Sequence, residues 1–520
     1  MKKFKFFVGV GGILLSVFVG TNQQTLAQVD NVDTSAEGNV FISNNLLVLG
    51  IGSRLGAEYK IDIFRKLRPF AKHIYACDLK NNDLASFLLK EGLIDHFVPI
   101  HSLDHQAAYK EIIKYFRRAN IPVNAVVTYR EEWLQVRTLI ATEYNLPHPP
   151  LEASRNSQDK YLTKKVLQEI GITSCRYETT TVKRLPQVGA SFGFPFFIKP
   201  SKSIRSEWAR LISNQDALNR YIKDLKQHYN TSSNLFLLEE AIEGHEVDVD
   251  MVLYEGENQY AEVSDNFPIY KPFALETGHL TPSILNENVK KDLIEYAYKA
   301  ARACGYDRGV FHIELILRPN EEIAVVEING RLGGMYIAKW HEEIFGVDLV
   351  KAELAISAGM HPKPFLKKKD ITKALAQICV TTNQDHDSSL ATEIEVDSWT
   401  NFQDCHKNKD VYNAEEWVNF PCSKKLVLNG HPNLGEVTVK AETPIKAFQK
   451  LSAICEDVPL QVSINGGQEI QASTKALRRF CSDTPGIDRF VIRKANETDK
   501  RNIVALLPFL TKRVENDSDC

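Results

Sequence analysis

The chain has 520 residues, 43% of them hydrophobic and 25% charged, with a formal net charge of -3. That length exceeds what one core can organise and implies roughly three or four domains. The near-neutral charge gives no reason to expect nucleic acid or an anionic membrane as a partner.

Lys2, Lys3 and Lys5 precede an apolar run from Phe6 to Val19, and Thr25-Leu26-Ala27 resembles a signal-peptidase site. Residues 1–27 therefore read as a secretory signal or a short anchor, the run being short of the roughly 20 apolar residues of a spanning helix. An extension that never acts as a signal fits the same residues. Residues 28–45 are polar and read as a flexible linker. The 9 cysteines stand singly from Cys77 to Cys520 without a C-x-x-C, which argues against a zinc site or disulfide framework and suits a reducing compartment.

From residue 46 to 150 strands alternate with helices. Leu46 to Leu49 is apolar and ends in Gly50-Ile51-Gly52-Ser53, with Gly56 further on. A helix follows, then a strand from His73 to Cys77 ending at Asp78, a strand from Val123 to Val127, and a helix from about Glu131. This order predicts a small Rossmann-like, doubly wound sheet. The glycine spacing is G-x-G-x-x-x-G, which a tight strand-to-helix turn explains as well as nucleotide binding does. Leu146-Pro147-His148-Pro149-Pro150 reads as a boundary. Residues 151–360 mix helices with antiparallel-type strands, and Pro362 and Pro364 open a different pattern over 361–520, an α+β region. There, Ala374 to Thr381, Lys425 to Val427 and Glu436 to Val439 read as strands, and Pro444 to Ile454 as an amphipathic helix.

The densest chemical signal is a pair of apolar strands, Gly309 to Leu317 and Ile323 to Asn329, flanking a Pro-Asn turn and leading into Gly330-Arg331. Alternation puts His312, Glu314 and Ile316 on one face, and Val325, Glu327 and Asn329 on one face. If Glu314 opposes Glu327, the same register sets His312 opposite Asn329. Opposed side chains have Cβ atoms about 4.5–5.5 Å apart. Two carboxylates that close repel unless a cation lies between them, so removing one, as in Glu327→Gln, is expected to relieve the metal-free protein. Magnesium prefers oxygen ligands and often bridges carboxylates and phosphates. Two glutamates on a solvated strand face fit the same pattern.

Glu-x-Asn-x-Arg ending a strand that follows a Glu-bearing strand, here Glu314, Glu327, Asn329 and Arg331, resembles the metal-binding end of the ATP-grasp superfamily. Within it the chain is most similar to bacterial L-amino-acid ligases of the bacilysin-synthetase type and to carnosine synthase. The run Leu275-Glu276-Thr277-Gly278-His279-Leu280-Thr281-Pro282-Ser283, followed by the hairpin and Arg331-Leu332-Gly333-Gly334, carries the similarity. The resemblance implies an ATP-grasp domain over 151–360, a pre-ATP-grasp domain over 46–150, and an ATP-dependent carboxylate–amine ligase that joins amino acids through an acyl phosphate. It implies magnesium, or manganese in its place, on Glu314, Glu327 and Asn329, with Arg331 steadying the transferring phosphoryl group and Glu276 and His279 lining the amino-acid site. Lys160, Lys199 and Ser203 would meet phosphate. Glu239 and the backbone of Glu240, Ala241 and Ile242 would meet adenine, and Glu246 the ribose hydroxyls.

The phosphate-covering loop departs from the superfamily. It reads Ser201-Lys202-Ser203-Ile204-Arg205-Ser206-Glu207-Trp208 and holds no glycine, so Lys202, Arg205 and the serines are expected to replace backbone contacts to phosphate. A loop that no longer closes productively, leaving a nucleotide-binding pseudoenzyme, is the rival from another class. A carboxylase or purine-pathway-type ligase is the rival within the superfamily. The expected partners are ATP and small carboxylate and amine substrates, without nucleic acid, and a homodimer is compatible with this reading. ATP chemistry and unpaired cysteines favour a cytoplasmic or membrane-tethered protein; the residue pattern of 1–27 favours export.

Overall fold

The computed structural model describes residues 43–471 except 55–57, 173–174, 204–205, 230–234, 270, 275, 382–392, 401–404, 406, 418–421, 426–432, 458–460 and 465–467. The signal-like segment, nearly all of the linker, Gly56, Arg205 and the strand residues expected at Leu426 and Val427 lie outside the described residues.

The first sheet is parallel, in the order β3-β2-β1-β4, from β1 (Ser43–Leu49), β2 (Ala71–Leu79), β3 (His96–Ile100) and β4 (Ala125–Thr128). Leu46 to Leu49 of β1 and Ala125 to Val127 of β4 are continuous apolar runs because both faces are covered there. Leu46 and Val48 join one buried cluster while Leu47 and Leu49 join another. Helices α1 (Glu58–Leu67), α2 (Asp83–Lys90), α3 (His105–Ala119) and α4 (Leu134–Glu143) provide the crossovers and covering layers. The glycines after β1 serve a turn. Gly50 has φ +72, and a Cβ there would lie 2.3 Å from Trp133 Cδ1, while Gly52 N donates to Asp78 Oδ2 at 2.9 Å.

A second, antiparallel sheet has the order β5-β8-β6-β7, from β5 (Tyr177–Thr181), β6 (Phe196–Pro200), β7 (Arg210–Ile212) and β8 (Leu235–Glu240). Helices α5 (Leu151–Gln158) and α6 (Lys160–Glu169) precede it, and Asp159 caps α6 by accepting from Tyr161 N and Leu162 N.

The central sheet has eight antiparallel strands: β9 (His245–Tyr254), β10 (Glu257–Asn266), β11 (Gly278–Thr281), β12 (Gly309–Leu317), β13 (Ile323–Asn329), β14 (Ala374–Thr381), β16 (Val411–Glu416) and β18 (Asn433–Ala441). Their order is β13-β12-β9-β10-β11-β14-β18-β16, so three strands from beyond residue 361 continue this sheet. Helix α7 (Glu287–Ala303) packs Val289, Leu293, Ala297, Ala300 and Ala301 onto one face, the stripe its helical spacing dictates. A fourth sheet, β17-β15-β19-β20, is formed by β15 (Glu393–Thr400), β17 (Cys422–Lys425), β19 (Gln461–Ile464) and β20 (Gln468–Gln471). Helix α8 (Pro444–Asp457) lies where amphipathicity predicted it. Among the described residues no helix is long and apolar enough to cross a membrane.

One buried ion pair ties the parallel sheet's covering helix to the chain after the hairpin. Arg137 Nη1 lies 2.5 Å from Glu353 Oε1, with both side chains 5% exposed, and Glu353 Oε2 accepts from Val310 N at 3.1 Å. Arg137→Met would leave Glu353 charged and unpaired in the interior. A loss of about 3–5 kcal/mol is expected in urea unfolding, and Arg137→Met with Glu353→Gln together should recover much of it.

Candidate active site

The hairpin forms in the expected register. His312 opposes Asn329, Ile313 opposes Ile328 and Glu314 opposes Glu327. Beyond Glu314 the register slips, and Leu315 opposes Val325. This bulge corrects the strict alternation expected for the second strand: Val325 does not share the face of Glu327 but packs in the core with Ile313, Leu315 and Ile328.

The two opposed carboxylates are not equivalent. Burial, then the charge of Glu327, pushes Glu314 well above the usual carboxylate range. Glu327 is half-buried, and Lys160 and Lys199 hold it below that range, with Lys160 Nζ 3.1 Å from Glu327 Oε1. Asn329 Nδ2 donates to Glu314 Oε1 at 3.4 Å. Two repelling carboxylates beside an amide form an oxygen donor set suited to a hard divalent cation. Among the described residues no group of three or more His, Cys, Asp or Glu could hold a metal by itself. A cation here would therefore draw part of its coordination from substrate oxygens, as magnesium does when it binds phosphates.

Arg331, just past β13, is held by its own surroundings. Its Nη1 donates to Leu332 O at 2.6 Å and its Nη2 to Asn329 Oδ1 at 3.3 Å, and Nε lies 3.6 Å from Glu131 Oε2. Behind the hairpin lies a polar layer that the sequence reading did not pick out. His312 Nδ1 is 2.9 Å and His341 Nε2 3.1 Å from the two oxygens of Asp250, and Tyr260 OH is 2.6 Å from His341 Nδ1. The two imidazoles hold Asp250 well below the carboxylate range despite its burial. His279 stands on β11, with Nδ1 2.7 Å from Asn266 Oδ1, and 3.5 Å from Asp248 Oδ2. Its Nε2 is 3.7 Å from Glu276 Oε2. Burial opposes its protonation, but Asp248 and Glu276 push it up to about 10, so it is a cation at neutral pH. The signal for this layer was present in Glu246-Val247-Asp248-Val249-Asp250: acids at every second position of an otherwise apolar strand all share one face.

The lysines and acids assigned to the nucleotide cluster on and around the second sheet. Lys160 Nζ donates to Ser203 O at 2.8 Å. Lys199 Nζ is 2.5 Å from Glu239 Oε2, and Lys164 Nζ is 2.9 Å from Glu239 Oε1 and donates to Val325 O at 2.7 Å. Burial would raise Glu239, but these two lysines hold it at about 2. The sequence reading missed Lys164; its place one helical turn after Lys160 was the available clue. Glu240 pairs with Arg318 at 3.0 Å, and Ala241 and Ile242 follow half-buried. Glu246, on β9, is pushed up to about 8 by burial, then by Asp248 and Glu276. Lys202 is 77% exposed and lies 3.7 Å from Asp159.

A cavity of about 430 Å³ separates the hairpin from the parallel sheet. It brings together Glu276, His279, Glu314, Glu327, Asn329 and Arg331 with Gly50, Lys60, Arg130 and Glu131 of the N-terminal region. Lys160, Lys199, Ser203, Glu239, Glu240, Ala241, Ile242 and Glu246 are not part of its lining; the contact of Lys160 with Glu327 joins the two groups.

Residues 192–339, which include the β6–β8 strands and the hairpin, match the ATP-grasp domain family. The chain carries an ATP-grasp domain. It is 28% identical to carnosine synthase 1 of Gallus gallus over 353 residues, 63% of this chain and 36% of that one. It is 23% identical to the alanine–anticapsin ligase of Bacillus subtilis over 298 residues, 53% of this chain and 61% of that one. The chain thus spans less than two thirds of either relative. Likeness of fold to solved structures extends past the matched segment. The crystal structure of an L-amino acid ligase from Bacillus licheniformis superposes with a TM-score of 0.65 at 16% identity, covering 82% of this chain and 99% of that one. A biotin carboxylase complex from Campylobacter jejuni does so with a TM-score of 0.56 at 15% identity, covering 88% and 98%.

Proposed function

We propose that this protein is an ATP-dependent carboxylate–amine ligase that joins amino acids, giving a dipeptide or an amino-acid amide, through an acyl phosphate. One observation carries the reading: the cationic His279 and Glu276 share a cavity with the Glu314–Glu327 pair, Asn329 and Arg331. Groups suited to an amino acid's carboxylate and ammonium thus stand beside groups suited to a transferring phosphoryl group. The similarity to a carnosine synthase and an alanine–anticapsin ligase supports the same class.

In this reading Lys160, Lys199 and Ser203 bind the phosphates, the backbone of Glu240, Ala241 and Ile242 reads adenine beside Glu239, and Glu246 accepts from the ribose. His279 orients the substrate carboxylate for attack on the γ-phosphate, and Arg331 balances the charge that moves with it. Magnesium, or manganese in its place, held by Glu314, Glu327 and Asn329, would neutralise phosphate charge. A screen of amino-acid pairs for ADP release, with product masses read from active wells, tests the proposal. ADP release that no amino acid stimulates would overturn it.

The exposed Lys202 takes part in phosphate binding in place of a glycine-rich backbone. Lys202→Ala is expected to weaken ATP binding by about 3-fold at low ionic strength, with the difference vanishing at high salt. Titration calorimetry at two salt concentrations checks this, and equal affinities at low salt would refute it. ATP chemistry and unpaired cysteines, among them the buried Cys77 and Cys304, support placing the enzyme in the cytoplasm or tethered to a membrane facing it. An intact mass beginning near Gln28 in the native host would count against that placement.

A further inference from the structure

Glu131 holds no role in the chemistry above, yet it faces the reacting groups. It opens the 3-10 turn Glu131–Trp133 directly after β4, whereas Arg331 belongs to the hairpin, and the two meet at the cavity. The turn is fixed on both sides. The Glu131 carbonyl accepts from Gln158 Nε2, and Trp133 is seated against Gly50. Glu131 is 8% exposed, and its Oε2 is buried with no hydrogen-bond donor, the nearest charge being Arg331 Nε at 3.6 Å. A buried carboxylate oxygen without a donor is unfavourable unless something else supplies one. A carboxylate or a phosphate arriving here would be repelled; an ammonium would be bound.

We propose, building on the ligase reading, that Glu131 is a catalytic residue of the ligation half-reaction, the base that takes a proton from the ammonium of the amine substrate. The freed amine attacks the acyl-phosphate carbon, forming the C–N bond. The C–O bond to phosphate breaks, and the phosphate leaves with the electron pair and takes the second nitrogen proton. Glu131 returns its own proton to solvent through the cavity. Its surroundings suit the task. Burial, with Glu327 and Glu132, pushes the carboxyl up to about 7 against the opposing pull of Arg331 and Lys160. The phenol of Tyr306 also stands close enough to feel its charge. A base in that range is about half ionised at neutral pH and still basic enough to accept a proton.

Glu131→Gln separates this role from support of Arg331. Hydroxylamine is an uncharged nucleophile at neutral pH and needs no base, so hydroxamate formation reports carboxylate activation alone. With an amino-acid pair found in the screen, the variant should form hydroxamate within about 3-fold of wild type while peptide formation falls by about 100-fold or more. Wild-type peptide formation should rise with pH through about 7. The variant's should climb only toward the amine's own pKa, as free amine accumulates. An equal fall in both products would make Glu131 a support for Arg331, and an unchanged peptide rate would make it a bystander; either overturns the proposal. Absence of hydroxamate from the wild-type protein would instead overturn the ligase reading, and this assignment with it.

Discussion

Arg331→Ala is expected to bind ATP with near wild-type affinity and to lose about 100- to 1,000-fold in kcat. The guanidinium is oriented before any substrate arrives, by its hydrogen bonds to Leu332 O and Asn329 Oδ1. Its charge therefore does little for the resting nucleotide, which Lys160 and Lys199 hold in the proposed arrangement. It matters as charge shifts onto the transferring phosphoryl group and onto the tetrahedral carbon, where an oriented cation needs no reorganisation. Calorimetric ATP affinity and amino-acid-dependent ADP release, measured side by side, check the split. A variant that loses affinity in proportion to turnover would place Arg331 in ground-state binding instead.

The second large effect concerns the carboxylate pair. Glu314→Gln and Glu327→Gln should each nearly abolish ADP release, since both carboxylates are proposed ligands of one cation. Their effects on the metal-free fold should have opposite signs. From sequence alone either substitution would relieve repulsion. The structure assigns that relief to Glu314, pushed up by burial and by Glu327 against the weaker opposing pull of His312. Glu327 already has Lys160 at 3.1 Å. Glu327→Gln weakens that ion pair and should cost on the order of 1–2 kcal/mol, softened because the carboxamide can still accept from the lysine. Melting temperatures without and with magnesium give the test. Glu314→Gln should melt higher than wild type without metal and gain less when it is added; Glu327→Gln should melt lower without metal. Two variants that shift in the same direction would show that Lys160 does not divide the pair.

Parts of this site were legible because they are local. Alternation tied the two pairs together: once Glu314 faces Glu327, His312 must face Asn329. Alternation likewise assigned the acid-bearing face of β12. The parallel sheet was legible for a similar reason: a strand buried on both faces leaves an unbroken apolar run such as Leu46 to Leu49.

By itself, then, the sequence determined the strands of the hairpin and the oxygen-rich character of its end, consequences of period-two geometry and turn chemistry. The tertiary structure decided what lies near those residues. The bulge after Glu314 turned Val325 into the core, a shift that one extra residue makes and that alternation cannot foresee. Lys160 reached Glu327 from 167 positions away, Lys164 reached Glu239, and Glu131 met Arg331 across the cavity. A charged side chain on a strand face or helix turn looks alike in sequence whether water or another charge surrounds it. Burial and long-range approach choose between those surroundings, and here they gave two identical carboxylates opposite proton affinities.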